Sequence, residues 1–318
     1  MARKPRIHIP GGFYHVILRG NGGQDIFNSK ADRSRFYLLI QEGIERYRYR
    51  VHSFCLMTNH VHLLIEVWTI PLSRIMQNLS FRYTRYINAT QKRIGHLFQG
   101  RYKALLIDAD RYLLELSRYI HCNPARAGLV SNPSQYPWSS CLAYLGLTEI
   151  PWLTTEPVLS RFASQANKAH DLYSKFVQDG ITESHRQDFH TGTYEGRILG
   201  DDHFGEKVLS QAEEEAKCRI TLVDVIRATC SIYGINKNTF SEPGKKQPTA
   251  EARAGVDFLV QEREGMMLTE LGRFVGRDIA ALSRSAGRIH KKLETDSELC
   301  DTLNKINQTL GQILKCQA

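Results

Sequence analysis

Between residues 13 and 123 the spacing of apolar residues switches repeatedly between a period of two and a period of three to four, and this alternation limits the fold more than any other feature. Phe13 to Arg19 alternates ahead of the turn Gly20-Asn21-Gly22-Gly23 and reads as a strand. Ala31 to Arg48 carries Phe36, Leu39, Ile40, Ile44 and Tyr47 at helical spacing. Tyr49 to Met57 and His60 to Val67 are two β-rich runs, parted by Thr58-Asn59, a short polar break suited to a hairpin. Pro71 opens a helix to about Ala89 with Leu72, Ile75, Met76, Leu79 and Tyr83 on one side. Phe98 to Ile107 is expected as a fourth strand. Asp108 or Asp110 then caps a helix to about Asn123, where Pro124 discourages continuation.

The order βαββαβ plus a further helix predicts an α+β fold: the ferredoxin-like antiparallel sheet with helices on one face. That architecture hosts many activities, so function has to be read from side chains. From Pro133 to about Lys217 the periodicity weakens, and the segment reads as a linker with one or two helices. The last hundred residues read as all-α: Leu222 to Tyr233, Ala250 to Arg263, Thr269 to Val275, Asp278 to Leu293 and Asp296 to Leu314. A short helix, Gly276 and a longer helix beginning at a capping Asp278 form a helix-turn-helix signature. In the last helix Leu299, Leu303, Ile306, Leu310 and Ile313 follow a four-three spacing over about two heptads, which favours packing within the domain over a dimer zipper. The expected division is 1–145, 146–217 and 218–318, in line with 318 residues of which 42% are apolar.

Charge is distributed unevenly. Residues 1–150 hold 20 Lys and Arg against 9 Asp and Glu, 151–217 hold 7 against 12, and 218–318 hold 15 against 12. A basic first half beside an acidic middle points to a polyanionic partner for the first half. No apolar run is long enough to span a membrane. The basic start Met-Ala-Arg-Lys-Pro-Arg has no apolar stretch behind it, unlike a secretory signal. Seven cysteines without a Cys-x-x-Cys pair suit a reducing, cytoplasmic setting.

The sharpest chemical feature is Met57-Thr58-Asn59-His60-Val61-His62-Leu63-Leu64-Ile65. Residues two apart on a strand share a face, so His60 and His62 offer two adjacent imidazoles, as a metal site needs. Taken alone, a His-x-His is more often a pair of solvated strand histidines. The segment Arg118-Tyr119-Ile120-His121-Cys122-Asn123-Pro124 supplies more: residues four apart on a helix project together, which unites Tyr119 and Asn123. An amide oxygen from Asn123 can join the imidazoles on a divalent ion, and a tyrosine oxygen nearby can act as covalent nucleophile. His121, about 200° round the helix from Tyr119, faces elsewhere.

These segments, with Phe13-Tyr14-His15-Val16, Arg19-Gly20-Asn21, Phe98-Gln99-Gly100-Arg101-Tyr102 and the continuation Ala125-Arg126-Ala127-Gly128-Leu129-Val130, resemble the HUH single-tyrosine transposases, and among them the REP-associated tyrosine transposases. The resemblance covers about residues 5–145. It implies a single-stranded DNA transposase or nickase acting on palindromic hairpins like the repetitive extragenic palindromes. It further implies that His60 and His62 hold Mg²⁺ or Mn²⁺, that Tyr119 forms a 5′-phosphotyrosine adduct and frees a 3′ hydroxyl, and that Asn123 stands where insertion-sequence relatives often carry Gln. The expected location is cytoplasmic, in association with the nucleoid, and the expected state is a monomer or a homodimer.

Arg82, Arg85, Arg93, Arg101, Lys103 and Arg126, interleaved with aromatics such as Tyr83 and Tyr86, are the candidate DNA contacts of the first half. Tyr194 to Phe204 resembles the segment following the catalytic region in longer REP-associated members, and carries no assigned chemistry. Leu268 to Arg288 resembles the DNA-binding domain of the replication initiator DnaA. Gly276-Arg277-Asp278 matches its signature, while Ile279-Ala280-Ala281 replaces the usual His-Thr-Thr. Arg277, Arg284 and Arg288 are thus the candidates for a second DNA contact. The competing expectation is a catalytically idle DNA-binding regulator or architectural protein derived from a transposase.

Overall fold

The computed structural model describes residues 7–184, 186–217, 220–242, 244, 246–263, 266–293 and 295–317. The basic N-terminal hexapeptide, His185, Cys218 and the side chains of Ile313 and Cys316 lie outside the described residues. The chain divides into two compact units, 1–212 and 213–318.

The first unit opens with β1 (Phe13–Arg19), α1 (Lys30–Tyr47), β2 (Arg50–Leu56), β3 (His60–Glu66), α2 (Leu72–Thr90) and β4 (Lys103–Ile107). The strands lie in the order β2-β3-β1-β4, antiparallel throughout, which is the expected ferredoxin-like sheet. Ser29 starts α1 by a capping box: its hydroxyl accepts from the Asp32 amide at 3.1 Å, and the Asp32 carboxylate accepts from the Ser29 amide at 2.9 Å. α1 and α2 cover one face of the sheet with an apolar core of Phe36, Leu39, Ile75, Met76 and Tyr83 against Val16, Leu18, Val61 and Leu63.

The helix α3 (Ala109–Arg126) begins at Asp108, whose carboxylate accepts from the Asp110 amide, and covers the opposite face. Contrary to expectation it runs through Pro124 to Arg126. Proline has no N–H for the carbonyl of Ile120, but the Asn123 side-chain amide reaches that oxygen at 3.4 Å. The fourth strand is shorter than expected, because Gly100 adopts φ +65° and Phe98 only bridges to Gly20.

The segment expected as a linker is largely built into this unit. It forms α4 (Cys141–Tyr144), α5 (Glu156–Leu159), α6 (Ala166–Asp179), α7 (Asp188–Thr191), β5 (Ile198–Leu199) and α8 (Asp202–Lys217). Tyr144, Tyr173, Val177 and Phe189 pack against α3 on the second face, and β5 joins the sheet parallel to β4. Aromatic residues scattered without period gave no signal of this burial.

The second unit holds α9 (Leu222–Tyr233), α10 (Lys237–Ser241), α11 (Thr249–Glu262), α12 (Leu268–Val275), α13 (Ile279–Lys292) and α14 (Ser297–Gln317). Between α12 and α13, Gly276 takes the left-handed conformation at φ +63° and Asp278 accepts from the Ala281 amide, the geometry of the helix-turn-helix expectation. Leu299, Leu303, Ile306 and Leu310 are buried in the unit's own core with Val225 and Val256. Among the described residues, no helix is long and apolar enough to cross a membrane.

Candidate active site

Beta pairing sets the first half of the site. In the β1–β3 register Arg19 lies opposite His60 and Ile17 opposite His62, so these four residues share the face that α3 covers. The hairpin ahead of β3 is pinned from outside the sheet, since the Thr58 carbonyl accepts from the amides of Ile26 and Phe27. Gly20 permits this close approach: a Cβ there would lie 2.0 Å from the Gln24 carbonyl oxygen. Helix α3 brings Tyr119 and Asn123 to the same place one turn apart. The result is a cleft of about 540 Å³ lined by Arg19, His60, His62, Tyr119, Asn123 and Arg126, together with His190 from α7.

Hydrogen bonds decide which nitrogen carries the proton in His15, His60 and His62. His15 Nδ1 lies 2.9 Å from the main-chain oxygen of Phe189, which can only accept, so Nδ1 carries the proton and Nε2 is the acceptor. His62 Nδ1 lies 2.9 Å from that Nε2 and therefore donates to it, leaving a lone pair on His62 Nε2. His60 Nδ1 lies 2.7 Å from the Asn59 side-chain oxygen while the Asn59 amide donates to the Gly23 carbonyl, so His60 Nε2 also keeps its lone pair. Burial is the main force keeping the rings neutral. It lowers His15 to about 3 and His60 to about 4, and takes His62 well below the ordinary histidine value, and the crowding of further imidazoles and of Arg19, Lys103 or Arg126 works in the same direction.

Neutral imidazoles that keep their Nε2 lone pairs and line one cleft are what a divalent cation requires. Asn123 fits as a third donor, because its amide nitrogen is directed to Ile120 and its oxygen remains an acceptor. Among the described residues no group of three His, Cys, Asp or Glu side chains is placed to hold a metal. A cation here would therefore rest on the two imidazoles and the amide, with water or phosphate completing its shell.

The Tyr119 ring stands 6.1 Å from His62 and 5.0 Å from Phe189, edge-on to both. Arg126 lies over its face at 4.0 Å and donates to its carbonyl oxygen. Burial raises the Tyr119 pKa, opposed by the Arg126 charge. The hydroxyl is 2.6 Å from His190 Nε2. The sequence motifs assign no chemistry to His15 or His190. The period of two puts His15 on the histidine face of β1, which is a readable signal. His190 lies 71 residues beyond Tyr119 on a four-residue helix, where no spacing marks it.

The remaining candidates are dispersed. Arg126 alone of the proposed first-half DNA contacts lines the cleft. Arg82 is ion-paired with Glu42 of α1, Arg85 lies over the exposed ring of Phe81, and Arg93 donates to Gln24. Arg101 and Lys103 are exposed at the start of β4. His121 is buried away from the cleft between Tyr173 and Ser140, as its angle on the helix predicts. In the second unit Arg277, Arg284, Arg288 and Lys291 line a hollow of about 630 Å³ along α13, and Arg277 also reaches buried Asp257 at 3.6 Å.

Residues 10–123 match the family model described as transposase, IS200 like. The C-terminal part is similar to chromosomal replication initiator proteins DnaA. The protein from Deinococcus radiodurans is 23% identical over 104 residues, 33% of this chain and 22% of that protein, and the one from Sphingopyxis alaskensis is 27% identical over 122 residues, 38% of this chain and 26% of that protein. The chain thus spans about a quarter of the length of these curated relatives. A solved structure of a REP-associated tyrosine transposase bound to a REP hairpin aligns with a TM-score of 0.41 at 14% identity, over 48% of this chain and 98% of that one.

Proposed function

We propose that the chain is a single-tyrosine DNA transposase or nickase, which cuts and rejoins single-stranded, hairpin-forming DNA through a phosphotyrosine intermediate. The observation carrying this reading is the convergence, in one cleft, of two neutral imidazoles, an amide oxygen and a tyrosine hydroxyl from β3 and α3. A phosphoesterase using activated water would leave the buried Tyr119 without a role.

The chain's own groups divide the work. Arg126 and Arg19 line the cleft as cations able to pair with backbone phosphate. The Tyr119 oxygen attacks phosphorus, the bond to the 3′ oxygen breaks, and the 5′ phosphate stays on the tyrosine for religation. His60, His62 and Asn123 suit a divalent cation such as Mg²⁺ or Mn²⁺, which when bound supplies positive charge to polarise a phosphoryl oxygen. For the second unit we infer a further DNA contact along α13 through Arg277, Arg284 and Arg288. Hydrophobic Ile279, 46% exposed at the helix start, replaces a polar base-reading group there.

Covalent capture tests the reading. Full-length chain is mixed with labelled single-stranded hairpins from its gene's flanking DNA and Mn²⁺, then resolved on a denaturing protein gel. A labelled adduct with the wild type and none with Tyr119→Phe, at retained DNA binding, is the expected result. Strong metal-independent binding with no adduct would instead identify a DNA-binding regulator.

A further inference from the structure

Tyrosine is a poor nucleophile while it holds its proton, and here burial makes that proton harder to lose. The reaction proposed above therefore needs an acceptor within hydrogen-bond reach of Oη. His60 and His62 are committed, through their remaining nitrogens, to Asn59 and His15, and their Nε2 atoms to the cation site. The imidazole beside Oη belongs to the segment once expected to be a linker.

Resting on that reading of Tyr119, we propose that His190 is the general base that takes the tyrosine proton during strand cleavage and returns it during rejoining. Four features of the structure support the role. Its Nε2 is 2.6 Å from the hydroxyl, a distance that needs no rearrangement for transfer. Its position is built in several ways. Phe189, next to it, is 1% exposed and packs on the Tyr119 ring, and the Phe189 carbonyl accepts from His15. Arg186 bonds Asp188 at 2.7 Å and Glu115 of α3 at 2.8 Å, tying both ends of the contact to the same helix. Finally, Gly192 closes the segment at φ +73°, where a Cβ would lie 2.7 Å from the Ile198 carbonyl oxygen. The dipeptide Phe189-His190 thus serves both halves of the site, its carbonyl fixing the tautomer of His62 through His15 and its side chain facing the nucleophile.

The step balances as follows. With His190 protonated on Nδ1, Nε2 accepts the Oη proton as Oη bonds to phosphorus. The bond from phosphorus to the 3′ oxygen breaks, and that oxygen leaves with the electron pair and takes a proton from solvent water. In rejoining, the 3′ hydroxyl loses its proton to water and attacks phosphorus, and the departing Oη recovers a proton from the His190 imidazolium.

The test measures adduct formation by full-length wild type, His190→Ala and His190→Gln on the labelled hairpins with Mn²⁺. Both variants should bind DNA as the wild type does and form the adduct about 10²–10⁴-fold more slowly. Added imidazole should restore the His190→Ala rate at least about tenfold, which lost packing alone would not allow. Replacing Tyr119 by a difluorotyrosine, whose proton leaves more readily, should shrink the deficit of His190→Ala. Equal rates in wild type and His190→Ala, or a deficit that neither imidazole nor fluorination changes, would overturn the role of His190 alone. Absence of any adduct with the wild type would overturn the reading of Tyr119 on which it rests.

Discussion

The two faces of the first unit's sheet are built from the same strands, and both bury apolar side chains, but only one also buries a set of titratable and polar groups. Under α1 and α2 the filling is apolar, with Phe36 edge-on to Phe27 and Tyr83 at 5.5 and 4.9 Å and the capping Asp32 at the margin. Under α3 the strands bury His15, His52, His62 and Glu66, and α3 adds Ser117, His121 and Asn123. These polar groups are paired with one another or with main-chain oxygen: His52 bonds Glu66 and the Thr154 carbonyl, Ser53 bonds Ser117, and His121 bonds Tyr173 and Ser140. The first face therefore gains stability almost wholly through apolar area removed from water, whereas the second adds to its own apolar core of Leu64, Leu116, Ile120 and Tyr173 a set of polar atoms that fix orientations at the cost of desolvation. The site sits at the open end of the second face.

That division makes the largest expected effect one of stability. Phe36 is fully buried on the apolar face, and Phe36→Ala should cost about 3–5 kcal/mol, seen as a lower urea midpoint with an unchanged slope. The rate of adduct formation per folded molecule should stay at the wild-type value. A loss of rate beyond the loss of folded protein would show that the two faces are mechanically coupled.

The mirror experiment is His15→Leu on the polar face. It strands the Phe189 carbonyl and removes the acceptor for His62, so a stability loss of about 1–3 kcal/mol is expected. The functional loss should be larger in proportion: about 10–100-fold weaker Mn²⁺ binding by calorimetry, because His62 can then rotate or carry its proton on the other nitrogen. Unchanged Mn²⁺ affinity would remove His15 from any supporting role and leave its burial a matter of packing.

How much of this was legible depended on the range of each interaction. The succession of strands and helices and the pairing of His60 with His62 or Tyr119 with Asn123 follow from periods of two and of three to four, which operate within one element. The extension of α3 through Pro124 was not legible, since it relies on Asn123 side-chain geometry that propensity ignores. His15 could be placed on the correct face, but its bond to His62 needed the register of two strands. His190 and Phe189 were beyond reach because nothing periodic marks a short helix held by Arg186, Tyr119 and the sheet edge.

The smallest expected effect tests how firmly that helix is held. Arg186 is about one-third exposed, so its bonds to Asp188 and Glu115 are partly screened by water, and surface pairs of this kind contribute about 0–1 kcal/mol. It also lies 4.4 Å over the Phe189 ring, a cation–π contact adding about 0.5–1 kcal/mol. Arg186→Ala should therefore lower the unfolding free energy by no more than about 1–2 kcal/mol in total. Its effect on adduct formation should be a few-fold, far short of His190→Ala, since Phe189 remains buried and still holds the dipeptide against Tyr119. A rate loss matching that of His190→Ala would mean that the surface ion pairs, and not the buried ring, fix the base beside its tyrosine, and adduct formation would then weaken with added salt as those pairs are screened.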